Sequence, residues 1–187
     1  MSAPEGAAAG ANYHPVVRRV HWFSAILVVV TVALAWCIIA APRHGDARSW
    51  AIMLHGSCGI AVLGLIVFWS GWRLRHPSPP LRPLIGRFLM VLARATHAAL
   101  LLLFVAMPLS GYVSLAAAGH SVSLFGLVAI PPLVPQSGRL SQAAIALHLL
   151  GQFAIYGLVG LHAGAAAWHG FIRRDGILDR MLPRRGI

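Results

Sequence analysis

Four apolar stretches, each longer than the roughly 20 residues that an α-helix needs to cross a bilayer, constrain this chain more than any other feature. They run over residues 20–41, 50–72, 88–115 and 141–170. Hydrocarbon offers the backbone no hydrogen-bond partner, so an apolar segment satisfies its own amide and carbonyl groups by forming a helix. The sequence therefore predicts an all-α fold, a transmembrane bundle of four helices.

The composition agrees with a membrane protein. Hydrophobic residues make up 58% of the 187 residues and charged residues only 10%, and the mean hydropathy is +0.76. The first stretch follows Arg18 and Arg19, as the apolar part of a signal peptide would follow its basic start. It is longer than the about 7–15 apolar residues of such a peptide, which favours a retained helix.

The arginines are divided unequally between the two sides of the predicted bundle. All 15 basic residues are arginine, and with four acidic residues they give a formal net charge of +11. Only Arg43, Arg48 and Arg139 fall on one side. The positive-inside rule then predicts an inner-membrane protein with both termini in the cytoplasm. This topology explains the high positive charge, so the charge does not indicate nucleic-acid binding. The twelve arginines on the predicted cytoplasmic side are Arg18, Arg19, Arg73, Arg75, Arg82, Arg87, Arg94, Arg173, Arg174, Arg180, Arg184 and Arg185.

The remaining segments are predicted to be connections and ends. Residues 1–13 read as a flexible cytoplasmic N-terminus, residues 14–183 as one membrane domain, and residues 184–187 as a basic C-terminal tail. His76–Pro83 contains four prolines and is predicted to be a loop. Ser123–Ile130, in the connection between the third and fourth spans, is apolar enough to lie along the membrane surface.

Histidines are the residues in these spans that can carry chemistry. A ligating or ionisable side chain inside a transmembrane helix is costly and indicates function by default. A further histidine, His169, lies at the inner edge of the fourth span, beyond the five that lie within the spans. Those five are His21, His55, His97, His148 and His162.

Depth predicts two pairs among these histidines. His148 and His162 are fourteen residues apart, which places them within about 40° of each other on one helix and separates them by about 21 Å along its axis. His21 lies near the start of the first span and His162 near the end of the fourth, so both lie close to the same side of the membrane. His55 and His148 lie at similar depths on the opposite side.

Two opposed imidazoles at each of two depths suit a planar macrocycle with two axial ligands, as in haem. Zinc requires four ligands close together, and no carboxylate or thiolate is predicted beside either pair. The chain has no C-x-x-C-H motif, so the haem is predicted to be bound non-covalently. Cys37 and Cys58 lie in different spans and are predicted to be structural.

Several motifs resemble those of the bacterial cytochrome b561 family, small di-haem membrane cytochromes related to the cytochrome b subunits of nickel–iron hydrogenases. The resemblance covers about Tyr13 to Pro183. The motifs are His21–Trp22, His55–Gly56–Ser57–Cys58–Gly59, Trp72–Arg73–Leu74–Arg75, Met107–Pro108–Leu109–Ser110–Gly111–Tyr112, Phe125–Gly126–Leu127 and the tail Arg174–Pro183.

This resemblance implies two haem b groups with four axial ligands on helices one, two and four. The ligands would be His21 with His162 for the inner haem and His55 with His148 for the outer haem, which are the pairs that depth predicts. His97 matches a family histidine that is not an axial ligand, and we expect it to be a buried hydrogen-bonding residue. The resemblance also indicates that a quinone head group binds near Trp168 and His169.

Some members of this family resemble superoxide:ubiquinone oxidoreductases, which implies electron transfer from periplasmic superoxide to ubiquinone. Arg43, Arg48 and Arg139 would then form an outer surface that attracts a small anion. No acid, base or nucleophile is needed for that step, because one-electron oxidation is the chemistry of the haem itself.

Two other functions remain open from the sequence. The chain resembles cytochrome subunits that anchor a dehydrogenase or hydrogenase and relay its electrons to quinone, and a protein redox partner would support that alternative. The predicted external connections are short and leave little surface for docking. The other alternative is a structural or metal-transporting membrane protein. That interpretation does not explain why the histidines lie at matching depths.

Overall fold

The computed structural model describes residues 13–76 and 86–182. Predictions for the N-terminus, for the loop after His76 and for the basic tail fall on residues 1–12, 77–85 and 183–187, which lie outside the described residues.

Four helices long and apolar enough to cross a membrane account for most of the described residues, which confirms the predicted four-helix bundle. Most of them extend a few residues past the apolar stretches, because a helix continues into the interfacial layer beyond the hydrocarbon. A π-helical turn, Trp168–Arg173, continues the fourth helix directly. The helices are α1 Pro15–Ala40, α2 Asp46–Arg75, α3 Arg87–Ala117 and α4 Gly138–Ala167.

A β-hairpin lies in the connection between α3 and α4. Strand β1, Val122–Leu124, pairs antiparallel with β2, Val128–Ile130, through a turn at Phe125 and Gly126, which have φ of +51° and +75°. The hydroxyl of the fully buried Ser57 accepts from the Phe125 amide (2.8 Å), and its one proton faces the carbonyls of Met53 (2.8 Å) and Ser123 (3.2 Å). The apolar segment that was expected along the membrane surface is thus a hairpin anchored on α2.

The helices pack as neighbours in chain order. The backbones of α1 and α2 pack together, as do those of α3 and α4, and α2 also contacts α3. The buried core lies mainly between α1, α2 and α3, while the opposite helix faces expose large apolar side chains such as Phe23 and Val67 to the membrane. A cluster in this core consists of Val28, Val62 and Ile66, with Leu27, Leu101, Phe104 and Val105 packed around them.

The two ends of the bundle differ in what covers them. We call the end where α1 begins and α4 finishes the terminal end, and the end that carries residues 122–130 the hairpin end. At the terminal end, residues Asp175–Leu182 fold back to α1, where the Trp22 indole donates to the Met181 carbonyl (2.9 Å).

Candidate functional site

Two pairs of histidines face each other across the bundle, one near each end. The ring centres of His55 and His148 are 5.9 Å apart at the hairpin end. Those of His21 and His162 are 6.0 Å apart at the terminal end. Helix α4 supplies one member of each pair, because fourteen residues separate His148 from His162 and return both side chains to the same face.

Both pairs join helices whose backbones do not pack against each other. Within the described residues, α4 makes close backbone contact with α3 but with neither α1 nor α2. The imidazoles of His21 and His55 nevertheless approach those of α4 from α1 and α2. The space between these helices is therefore bridged by histidine side chains at two depths.

The distances between rings suit two axial ligands on one metal. A metal–imidazole bond of about 2 Å, with the nitrogen about 1.2 Å from its ring centre, places two opposed ring centres about 6.4 Å apart. The two pairs fall within about half an ångström of that separation. Among the described residues, no three His, Cys, Asp or Glu side chains form a group that would hold a bare metal ion. The arrangement thus fits a flat macrocycle with two imidazole ligands better than zinc.

Hydrogen bonds orient the pair at the hairpin end. Nδ1 of His55 lies 2.9 Å from the Thr31 carbonyl, and Nδ1 of His148 lies 2.9 Å from the Met107 carbonyl. A carbonyl only accepts, so each Nδ1 carries the proton and each Nε2 keeps its lone pair. Such a bond to the far nitrogen is the usual support of a metal-binding histidine.

The motif Met107–Gly111 forms a cradle for His148. Pro108 lies inside α3, where it removes one helical N–H donor. The Ser110 hydroxyl donates to the Met107 carbonyl (2.9 Å) and lies 3.2 Å from Nδ1 of His148. A Cβ on Gly111 would come within 3.2 Å of Cε1 of His148, so glycine allows the ring to approach the backbone. This motif therefore sets the position of the imidazole.

Three histidines meet at the terminal end. The ring of His162 is 6.0 Å from that of His21 and 5.1 Å from that of His97, centre to centre. The His97 separation is more than 1 Å below the about 6.4 Å expected for a shared metal. Nδ1 of His21 is buried and has no hydrogen-bond partner in the described structure. His97 was expected to be buried, but it is exposed in the structure, although its ring contacts that of His162.

The glycines of α4 lie in two different environments. Gly151 packs directly against the Met107 side chain, which is ordinary close helix contact. At Gly157, Gly160 and Gly164, no atom of a described residue outside the local turn of α4 lies within 4 Å of the place where a Cβ would be. They lie about 120–180° around the helix from His148, so they face away from the two histidine pairs.

Trp168 and His169 lie in the π-helical turn that follows α4. The Trp168 side chain is 56% exposed, whereas His169 is largely covered and contacts Asp175. Nδ1 of His169 lies 2.6 Å from Oδ2 of Asp175. The sequence gives no sign of a role for Asp175 beyond its position in the tail motif.

The structure brings two of the three predicted outer arginines together. Arg43 and Arg48 line an open cleft with His44 at the hairpin end, and the Arg48 guanidinium also donates to the Ile38 carbonyl. Arg139 is exposed in the first turn of α4 and does not line this cleft. The candidate anion surface is thus centred on the connection between α1 and α2.

Comparison with known proteins matches nearly the whole chain to one family. The model of prokaryotic cytochrome b561 matches residues 12–184. The chain is 36% identical over 170 residues to a protein named probable superoxide oxidase CybB from Yersinia pestis, covering 89% of this chain and 93% of that protein. It is 32% identical over 173 residues to cytochrome b561 homolog 2 of Escherichia coli (strain K12), covering 92% of each.

Proposed function

The chain belongs to the prokaryotic cytochrome b561 family, and we propose that it transfers single electrons from periplasmic superoxide to ubiquinone through two haem b groups. Membership makes it a membrane electron-transfer protein that binds haem b. The finer proposal depends on one observation. Two histidine pairs, with ring centres 5.9 and 6.0 Å apart, connect α4 at two depths to α2 and α1, helices whose backbones do not pack against it.

In this proposal, His55 and His148 ligate the haem at the hairpin end, and His21 and His162 ligate the haem at the terminal end. Haem iron supplies reversible one-electron chemistry when it is bound. The Thr31 and Met107 carbonyls hold His55 and His148 in the tautomer that leaves Nε2 free for a metal. The excess of arginine at the terminal end supports a cytoplasmic location for it.

Superoxide is proposed as the donor at the hairpin end. The support is the name of the relative from Yersinia pestis and the cationic cleft at Arg43, His44 and Arg48. Clustered positive charge attracts a small anion and raises its rate of encounter. In the complete reaction, two superoxide anions give one electron each and leave as dioxygen, and one quinone takes two electrons and two protons.

Ubiquinone is proposed to bind at the terminal end near Trp168 and His169. Trp168 offers an exposed indole face for a flat head group. His169 follows His162 by seven residues, about 10 Å along a helix axis, and histidine is the side chain best suited to exchange protons near neutral pH. The quinone would thus meet electrons and protons at the same end.

The first test is a reduced-minus-oxidised spectrum of the purified protein with haem quantified per chain, followed by superoxide consumption in the presence of a soluble ubiquinone analogue. We expect about two b-type haems per chain and quinone-dependent superoxide loss that a haem-free preparation lacks. A two-haem protein that superoxide does not reduce would contradict the proposed donor. Co-purification of an iron–sulfur or haem protein in that case would favour the subunit alternative.

We expect Gly111→Val to weaken haem binding at the hairpin end. A valine at this position would push its branched side chain into His148, and overpacking of this kind costs about 1–3 kcal/mol. Total haem should fall toward about one per chain, whereas Gly111→Ala should retain most of it because the ring can give by a few tenths of an ångström.

The matched control for this variant is Gly64→Val on α2, where a Cβ would meet nothing within 4 Å. The haem content of the two variants is compared after purification at equal protein concentration. Equal loss in both would indicate a general effect of valine on the helices and would contradict the cradle around His148.

A further inference from the structure

His169 and Asp175 form a close pair at the terminal end, separate from the two histidine pairs. Oδ2 of Asp175 lies 2.6 Å from Nδ1 of His169 and 3.3 Å from Nε of Arg173. The side chains of His169 and Asp175 are only 15% and 13% exposed. A hydrogen bond to an ionised carboxylate is stronger than one between neutral groups, so this short contact orients both side chains.

Two irregularities of the backbone create this pair. The chain leaves α4 in the π-helical turn Trp168–Arg173, and Arg174 then adopts a left-handed conformation with φ of +50°. Single π turns in helices are frequently found at functional sites. Oδ1 of Asp175 accepts from the Ile177 amide (3.3 Å), which closes the reversal. The carboxylate is thereby returned to the ring of His169.

The segment Asp175–Leu182, which we call the C-terminal strap, is held against α1. The Arg18 guanidinium donates to the Leu182 carbonyl (2.7 Å), and the Trp22 indole donates to the Met181 carbonyl. Trp22 also packs edge-on against His21, with ring centres 5.4 Å apart. Asp175 therefore belongs to a fixed element that spans the terminal end from α4 to α1.

Asp175 is ionised in the working range of pH. Partial burial acts to raise its pKa, but the hydrogen bonds from His169 and the Ile177 amide and the charges of His169 and Arg173 outweigh it, so the pKa is lowered. A carboxyl group with a lowered pKa stabilises the fold above its unfolded value and loses that contribution only as the pH falls through the folded value. The pair is thus intact at neutral pH.

An ionised carboxylate only accepts hydrogen bonds, so the ring of His169 must present its proton on Nδ1 to Asp175. Nε2 is then the atom left to exchange a proton with a bound molecule. Isolated histidine interconverts between two tautomers, and the fixed carboxylate selects one of them. The geometry resembles the support that an aspartate gives to a catalytic histidine in acid–base catalysis.

We propose that Asp175 is a positioning residue for proton transfer to quinone. This role for Asp175 rests on the proposed function, in which quinone is reduced beside His169. Protonated His169 donates the proton on Nε2 to a quinone carbonyl oxygen as the quinone accepts an electron. The ring becomes neutral and keeps its Nδ1 proton toward Asp175, and Nε2 is reprotonated from the cytoplasm. Two such transfers complete the reduction of one quinone to quinol.

The test compares Asp175→Asn with Asp179→Asn in the full-length haem-loaded protein. Asparagine keeps an oxygen for the Ile177 amide, so the reversal should survive. Its NH₂ group would replace Oδ2 and donate to Nδ1, which moves the ring proton of neutral His169 to Nε2. Asp179 is an exposed carboxylate of the same strap and serves as the control for lost charge.

The first readout does not depend on quinone. The protein is labelled with ¹⁵N-histidine, and the His169 resonance is assigned by its loss in His169→Gln. Neutral His169 should carry its proton on Nδ1 in the parent and in Asp179→Asn. In Asp175→Asn it should carry the proton on Nε2. The same tautomer in the parent and in Asp175→Asn would overturn the positioning role, whatever the quinone activity.

The second readout is the rate at which ubiquinone analogue reoxidises the reduced protein, measured across pH. General acid catalysis contributes about 10²–10⁴-fold, so Asp175→Asn should lower kcat for quinone by about 10- to 100-fold while KM changes little. Asp175→Glu should recover part of the rate.

The outcomes separate the two proposals. A changed tautomer with an unchanged quinone rate would overturn proton donation from His169, and with it this inference, while leaving other quinone sites possible. No quinone activity in the parent would contradict the proposed function, and the tautomer would still decide whether Asp175 orients His169. Equal loss of rate in Asp175→Asn and Asp179→Asn would identify a structural effect and overturn the inference.

Discussion

Replacement of His148 by alanine should remove one of the two haems and leave the other in place. The variant loses one proposed axial ligand and its hydrogen bond to the Met107 carbonyl, and His55 alone would hold the macrocycle weakly. The terminal-end haem should survive because His162 lies about 21 Å further along the same helix. Pyridine haemochrome assay and difference spectra should show haem falling from about two to about one per chain.

A matched set of variants makes this result specific. His148→Gly with added imidazole should recover part of the lost haem, because the free base can occupy the place of the ring. His120→Ala removes an exposed histidine at the same end and should change nothing. Retention of one haem with its normal spectrum shows that His148→Ala is folded. Loss of both haems in His148→Ala as well as in His162→Ala would contradict the assignment to separate pairs.

The helices and the meeting of the histidines were predictable from the sequence for simple physical reasons. Hydropathy determines which segments cross the membrane, and a helix fixes depth at about 1.5 Å per residue. His148 and His162 therefore had to lie on one face at two depths. In the structure His148 faces His55 and His162 faces His21, as expected from the direction in which each helix crosses, and His97 also contacts His162.

The groups that support these histidines could not be predicted in the same way. The Thr31 and Met107 carbonyls are backbone atoms, which every residue has, so no residue type marks them. Gly111 was visible only as part of a family motif, and its contact with His148 depends on how closely α3 approaches α4. Contacts that hold the histidine rings in place follow from how the helices pack, and the pattern of apolar residues determines that packing only coarsely.

Departures from regular helix were also beyond the sequence analysis. The pairing of His169 with Asp175 requires a π turn and a left-handed Arg174, and neither has a reliable composition signal. The hairpin of residues 122–130 has a similar origin, because the buried Ser57 hydroxyl on α2 anchors it. For the hairpin, a residue distant in the sequence fixes the local backbone.

The second large effect is expected at the terminal end, where His162 has two histidine neighbours. We expect His162→Ala and His21→Ala each to lose the terminal-end haem, and His97→Ala to retain about two haems per chain. The reason is distance, because the ring centres of His21 and His162 are 6.0 Å apart and those of His97 and His162 only 5.1 Å. Two ligands of one iron require about 6.4 Å.

The three variants should be measured together by haem content and by electron paramagnetic resonance of the oxidised protein, which detects a change of axial ligand at each haem. His97→Ala should keep both low-spin signals, although loss of a neighbouring imidazole can shift the potential of the terminal-end haem. His97→Gln, which preserves a polar side chain, should be closer to the parent in that potential. If His97→Ala loses a haem while His21→Ala keeps both, then His97 is the partner of His162. Helix α1 would then contribute no ligand, and the buried Nδ1 of His21 would need a different explanation.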